Sequence, residues 1–89
     1  MRIKDGFVLR KMQKDYIVVG EGLAQVNFNK LMVLNESAAY LWENIAGKEF
    51  TEEDLVRLLL ERYDVTEELA RTDAAKVAQL LQENGVLEE

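Results

Sequence analysis

The stretch Leu34-Asn35-Glu36-Ser37-Ala38-Ala39-Tyr40-Leu41-Trp42 separates short apolar runs on its N-terminal side from helical spacing on its C-terminal side. Asn35 is a candidate N-cap, because its side chain can accept a hydrogen bond from the first turn of a helix. Gly47 is the type of residue that commonly ends a helix. We therefore predict a helix over about residues 36–46. Its apolar residues recur on one side and predict a buried face formed by Ala38, Leu41, Trp42 and Ile45.

The first 20 residues have the pattern of a β-hairpin. Residues 7–12 and 16–19 are rich in β-branched and aromatic side chains. The polar Gln13-Lys14-Asp15 between them has the length of a hairpin loop. Two antiparallel strands are the simplest interpretation.

A second pair of apolar runs follows a break at Gly20-Glu21-Gly22. Val26 and Phe28 alternate with a polar residue, and Asn29-Lys30 can form a tight turn before the apolar residues 31–34. The whole region predicts a meander of three or four short strands between about residues 7 and 34. Val26, Phe28, Leu31 and Val33 favour the core face of a sheet with one solvated side, with ligand contact as the alternative.

Two further helices are predicted after Gly47. Thr51-Glu52-Glu53-Asp54 resembles a capping box and begins a helix over about residues 52–63. Thr66 begins the longest helix, over about residues 66–84, and Gly85 stands where a terminating glycine is expected. Strands followed by helices indicate an α+β domain, a small antiparallel sheet packed on three helices, which is close to a winged helix.

The composition limits the chemistry. The 89 residues suit one domain over residues 1–89, and they include no His and no Cys. Without imidazole or thiolate groups there is little basis for nucleophilic catalysis or for zinc binding, so we expect no enzyme activity, no cofactor and no metal. The net charge of −6 repels nucleic acids and anionic membranes. No stretch has the roughly 18 apolar residues of a membrane span, and we expect a cytoplasmic protein.

Several of these segments together resemble the PqqD-like family, whose members are also known as RiPP recognition elements. The segments that resemble the family are Leu34–Trp42, Thr51–Leu55, Tyr63-Asp64-Val65 and, near the C-terminus, Leu80-Leu81 with Asn84-Gly85-Val86-Leu87. The resemblance implies a peptide chaperone of natural-product biosynthesis, not an enzyme. Such a domain holds the leader segment of a ribosomally made precursor peptide and presents it to a tailoring enzyme, often a radical SAM enzyme. The resemblance also implies that the peptide adds as a strand to the sheet edge, against the third helix.

The third helix has an apolar arc wide enough for two uses. At about 100° per residue, its apolar residues cover roughly 180°, whereas a stripe facing the core needs about 100°. One margin of small residues, Ala70, Ala74 and Ala78, could let another backbone approach, or it could pack in the core. Asp73 within the arc could contact the peptide, pair with Lys76 or Lys30, or lie at an open edge. The predicted peptide-binding residues are Val26, Phe28, Leu31, Met32, Val33, Ala70, Asp73, Ala74, Val77 and Ala78.

Two alternatives to leader binding remain at this point. The winged-helix-like order would suit a DNA-binding protein, but the third helix has four acidic residues against two basic ones, which disfavours contact with phosphates. A general protein-interaction domain is the other alternative. The sheet edge could also pair with a second copy to form a homodimer.

Overall fold

The computed structural model describes residues 1–20 and 32–88. In these residues three strands precede three helices, which confirms the predicted α+β order. The strands are β1 (Phe7–Met12), β2 (Asp15–Gly20) and β3 (Met32–Leu34). The helices are α1 (Glu36–Ile45), α2 (Glu52–Arg62) and α3 (Glu67–Glu83).

The strands form an antiparallel sheet in the order β1-β2-β3, so that β2 is central. A tight turn at Gln13, with a φ of 38°, joins β1 to β2. Met32 and Leu34 face the core and are buried, whereas Val33 is 55% exposed. The prediction of Val33 as a core residue was therefore wrong. The run of four apolar residues at 31–34 has no alternation that would show which side chains face inwards.

The helix ends follow the predicted capping residues. Asn35 accepts a hydrogen bond from the backbone of Ala38, and Thr66 caps α3 in the same way. At α2 both halves of a capping box are formed, with Asp54 in the place of the usual Glu. Gly85 follows α3 with a φ of +68°, a left-handed conformation that glycine adopts without steric cost.

The core lies between the inner face of the sheet and the helices. Ala38, Leu41, Trp42 and Ile45 are all buried, as the periodicity of α1 predicts. The two ends of the chain also meet, because Ile3 forms a β-bridge with Leu87. None of the helices in the described residues is long and apolar enough to cross a membrane.

Candidate functional site

A groove of about 210 Å³ lies between the end of β3 and α3. β3 contributes Val33 and Leu34 to the groove, and α1 contributes residues of its first turn. One face of α3 forms the opposite wall. The residues that line the groove are Val33, Leu34, Asn35, Ser37, Ala38, Asp73, Lys76, Val77 and Leu80.

Among the strands that the structure describes, β3 lies at the edge of the sheet. Its three residues pair with Tyr16, Ile17 and Val18 of β2. In the described parts of the chain, no strand pairs with its other side. An edge strand presents backbone N–H and C=O groups that can pair with an added strand. The groove therefore combines hydrogen-bonding backbone with an adjacent helix wall.

The walls of the groove are apolar, and its rim is charged. Leu34 and Ala38 are buried, while Val77 and Leu80 are half-buried and pack against the core. Asp73 and Lys76 lie one turn apart on α3. Neither takes part in any ion pair between the residues that the structure describes. Both charged residues line the groove, and the predicted alternative pair of Asp73 with Lys30 lies outside the residues that the structure describes.

Three of the predicted site residues come together at this groove: Val33, Asp73 and Val77. Met32 precedes Val33 in the same strand, with its side chain turned into the core. For Asp73, the structure shows a half-buried position at the groove and no ion pair with Lys76. Val26, Phe28 and Leu31 lie outside the residues that the structure describes.

The alanine margin of α3, formed by Ala70, Ala74 and Ala78, packs in the core and not against the groove. Ala70 and Ala74 have no exposed surface and belong to the core, and Ala78 is half-buried against it. The side chains of Ala70 and Ala74 therefore do not line the groove. Small residues at these positions let α3 approach the rest of the core closely.

Several residues that line the groove are not among the predicted site residues. Lys76 and Leu80 follow Asp73 at helical spacing, and this spacing could have identified them as one face of α3. Asn35 is predicted only as a helix N-cap, and Ser37 stands only in the segment that resembles the family. Their place in the groove follows from the position of α1 relative to α3, for which the sequence has no local signal.

Two other features of the described residues are less suited to binding an extended chain. A cleft of about 940 Å³ lies where the two ends of the chain meet, lined by Met1, Lys4 and Gln82 among others. It lies beside the isolated bridge and not beside a strand. No group of three or more acidic residues in the described part of the chain is arranged to hold a metal ion.

Comparisons with known proteins agree with this architecture. The profile of the family described as coenzyme PQQ synthesis protein D (PqqD) matches residues 16–87. A solved structure, described as TbiB1 in complex with the TbiA(beta) leader peptide, has a similar fold, with a TM-score of 0.74 and 16% identity. The similarity covers 99% of this chain and 95% of the other. A search of curated proteins found no match. Since the family profile spans most of the sequence, from β2 to the bridge at Leu87, the chain belongs to the PqqD family.

Proposed function

We propose that this protein binds the leader segment of a ribosomally synthesised precursor peptide and presents it to a tailoring enzyme. The leader adds as a strand beside β3 and rests against α3. Membership of the PqqD family supports this role. The fold is also that of a protein solved with a leader peptide, which is consistent with the same use of the domain.

One observation carries the proposal: the edge of β3 and an apolar helix wall border the same groove. A strand added to a sheet lies about 4.8 Å from its neighbour, and its side chains alternate between the two faces. One set of leader side chains would then point towards Val77 and Leu80. Main-chain hydrogen bonds would supply affinity, and the contacts of this set would supply specificity.

The charge of the helices favours a peptide over DNA. α3, the helix that would read DNA in a winged-helix protein, carries Glu67, Glu68, Asp73 and Glu83 against Arg71 and Lys76. This excess of acidic residues repels phosphates. We therefore assign the domain a binding role without catalysis. Cytoplasmic localisation, a radical SAM enzyme as the tailoring enzyme, and a homodimer through the sheet edge remain predictions.

A titration with labelled peptides tests the proposal. The probe is the leader of a short precursor peptide encoded beside this chain, followed by fluorescence anisotropy. We expect a Kd well below 1 mM, which corresponds to more than about 4 kcal/mol of binding free energy. Val77→Arg should weaken binding at least tenfold, because it places a long charged side chain in the groove.

Gln79→Arg is the matched control. Gln79 is exposed. It is two residues from Val77 and therefore lies on nearly the opposite side of α3. The Gln79→Arg variant should bind the leader as the parent does. Absence of binding by the parent would contradict leader recognition, and equal binding by both variants would move the site away from the groove.

A further inference from the structure

The side chain of Leu69 on α3 is 47% exposed, although it belongs to the apolar arc of that helix. At about 100° per residue, Leu69 lies about 20° from Leu80 and about 40° from Asp73 around the helix axis. Arg71, which contacts Glu53 of α2, lies about 160° from Leu69. Leu69 is therefore turned away from α2, and it extends the α3 wall of the groove by one turn towards the start of the helix.

Asp73 places a carboxylate between apolar side chains on this wall. Leu69 lies one turn before it and Val77 one turn after it, so the order along α3 is apolar, acidic, apolar. Asp73 is half-buried, and in the part of the chain that the structure describes its carboxylate joins no ion pair. A carboxylate that an occupant covers loses water and needs a hydrogen-bond donor in exchange. An extended chain in the groove must therefore bring such a donor to Asp73.

The charge around the groove favours a cationic donor. Residues 32–88 carry 13 acidic and five basic side chains, a net charge of −8. Lys76 also lines the groove, but it is exposed, and its long stem lets the ammonium group stay in water while the stem covers apolar surface. A hydrogen bond between a cation and a carboxylate is stronger than one from a neutral donor. A Lys or Arg side chain is therefore the best partner for Asp73.

We propose that the leader recognised by this domain carries a Lys or Arg residue between two apolar residues at alternate positions, and that Leu69, Asp73 and Leu80 select it. This assignment rests on the proposed function. Leu69 and Asp73 are about 6 Å apart along the helix, and alternate residues of a strand are about 6.7 Å apart. Val77 and Leu80 lie about 6 to 10 Å beyond Asp73. Three side chains on one face of the leader strand therefore meet an apolar, an acidic and again an apolar part of α3.

A second copy of this chain offers a related pattern, since β1 carries Val8, Arg10 and Met12 at alternate positions. In the described sheet, β1 and β3 are opposite edges. Addition of one copy's β1 to the next copy's β3 is a head-to-tail contact, which continues from copy to copy. A leader peptide instead occupies the β3 edge of one molecule, which suits a discrete complex of domain and peptide.

The test measures the binding of leader peptides by fluorescence anisotropy. The probes are the leader of the precursor peptide encoded beside this chain and a set of its variants, in each of which one basic residue is replaced by Glu. Asp73→Lys is the first test variant of the protein. Its matched control is Glu68→Lys, because Glu68 is exposed and lies about 140° from Asp73 around α3. The second test variant is Leu69→Ser, and its control is Leu60→Ser, which truncates an exposed leucine of α2.

We expect Asp73→Lys to weaken binding of the natural leader at least tenfold and Leu69→Ser at least threefold, with both controls within twofold of the parent. One Glu-substituted leader should bind Asp73→Lys at least tenfold more tightly than it binds the parent, a rescue that also shows that this variant is folded.

Equal affinity in either test variant and its control would overturn the proposal. So would a bound leader without a basic residue, the absence of rescue by every Glu-substituted leader, or oligomers of the chain alone that Asp73→Lys dissociates. Failure of the parent to bind the leader would instead overturn the proposed function.

Discussion

The side-chain Oδ1 of Asn35 accepts a hydrogen bond from the backbone N–H of Ala38 at 2.8 Å. The same oxygen accepts a hydrogen bond from the hydroxyl of Ser37 at 3.0 Å. Asn35 follows β3 directly and borders the groove. One side chain therefore ends the edge strand, begins α1 and fixes one wall of the candidate site.

Replacement of Asn35 by Ala should lower the free energy of unfolding by about 1 kcal/mol, within the usual range of about 0.5–2 kcal/mol for loss of an N-cap. Urea denaturation followed by circular dichroism measures the change. Asn44→Ala is the control, because Asn44 is exposed and donates its side-chain hydrogen bond to a carbonyl inside the same helix. Equal effects of the two substitutions would show that the cap does not contribute specifically.

The sequence was sufficient for the helices because their signals are local. Each cap is formed by a residue and the helical turn that follows it, as with Thr51 and Asp54 of α2. The positive φ of Gly85 is likewise a property of one residue. Such features predict where α1, α2 and α3 begin and end without any knowledge of tertiary structure.

Which side chains of β3 and α3 face the core depends on tertiary packing, so the local sequence does not predict it. Met32, Val33 and Leu34 are all apolar, and only the register with β2 shows that Val33 points outwards. On α3 both margins of the apolar arc could have faced the core. The position of the helix relative to the rest of the fold buries Ala74 and leaves Val77 at the groove.

Ala74→Arg should prevent stable folding, because Ala74 has no exposed surface and an arginine there would bury an unpaired charge. Ala75→Arg is a close control, since Ala75 is the next residue on the same helix and is exposed. Thermal melts followed by far-ultraviolet circular dichroism compare the two. A cooperative melt of Ala74→Arg near the parent's temperature would contradict the assignment of Ala74 to the core.

Trp42→Ala should lower the free energy of unfolding by about 3–5 kcal/mol, the range for truncation of a buried large aromatic residue. Trp42 is only 4% exposed and lies in the same core cluster as Leu41 and Leu55. In a domain of this size such a loss is a large fraction of the total stability. The measurement is chemical denaturation. The control is Glu43→Ala at the exposed neighbouring residue, whose free energy of unfolding should lie within about 0.5 kcal/mol of the parent's.

Acidic pH should weaken the contact between α2 and α3, because this contact includes the carboxylate of Glu53. Two nitrogens of Arg71 donate hydrogen bonds to the carboxylate of Glu53, and a third bond joins Arg71 to Glu67 at 3.2 Å. The hydrogen bonds and the positive charge of Arg71 lower the pKa of Glu53. A carboxylate whose pKa is lower in the folded state binds its proton more readily after unfolding.

The stabilisation by Glu53 is therefore complete above the pKa of an ordinary glutamate, about 4, and is lost as the pH falls through the lower pKa of the folded state. Glu53→Gln should make stability less dependent on pH between 6 and 3, measured as the difference in urea midpoint. The effect should also shrink in high salt, because both side chains are exposed. Glu43→Gln, at an exposed position on α1, is the control. An unchanged pH dependence in Glu53→Gln would show that the pair with Arg71 does not couple α2 to α3 in solution.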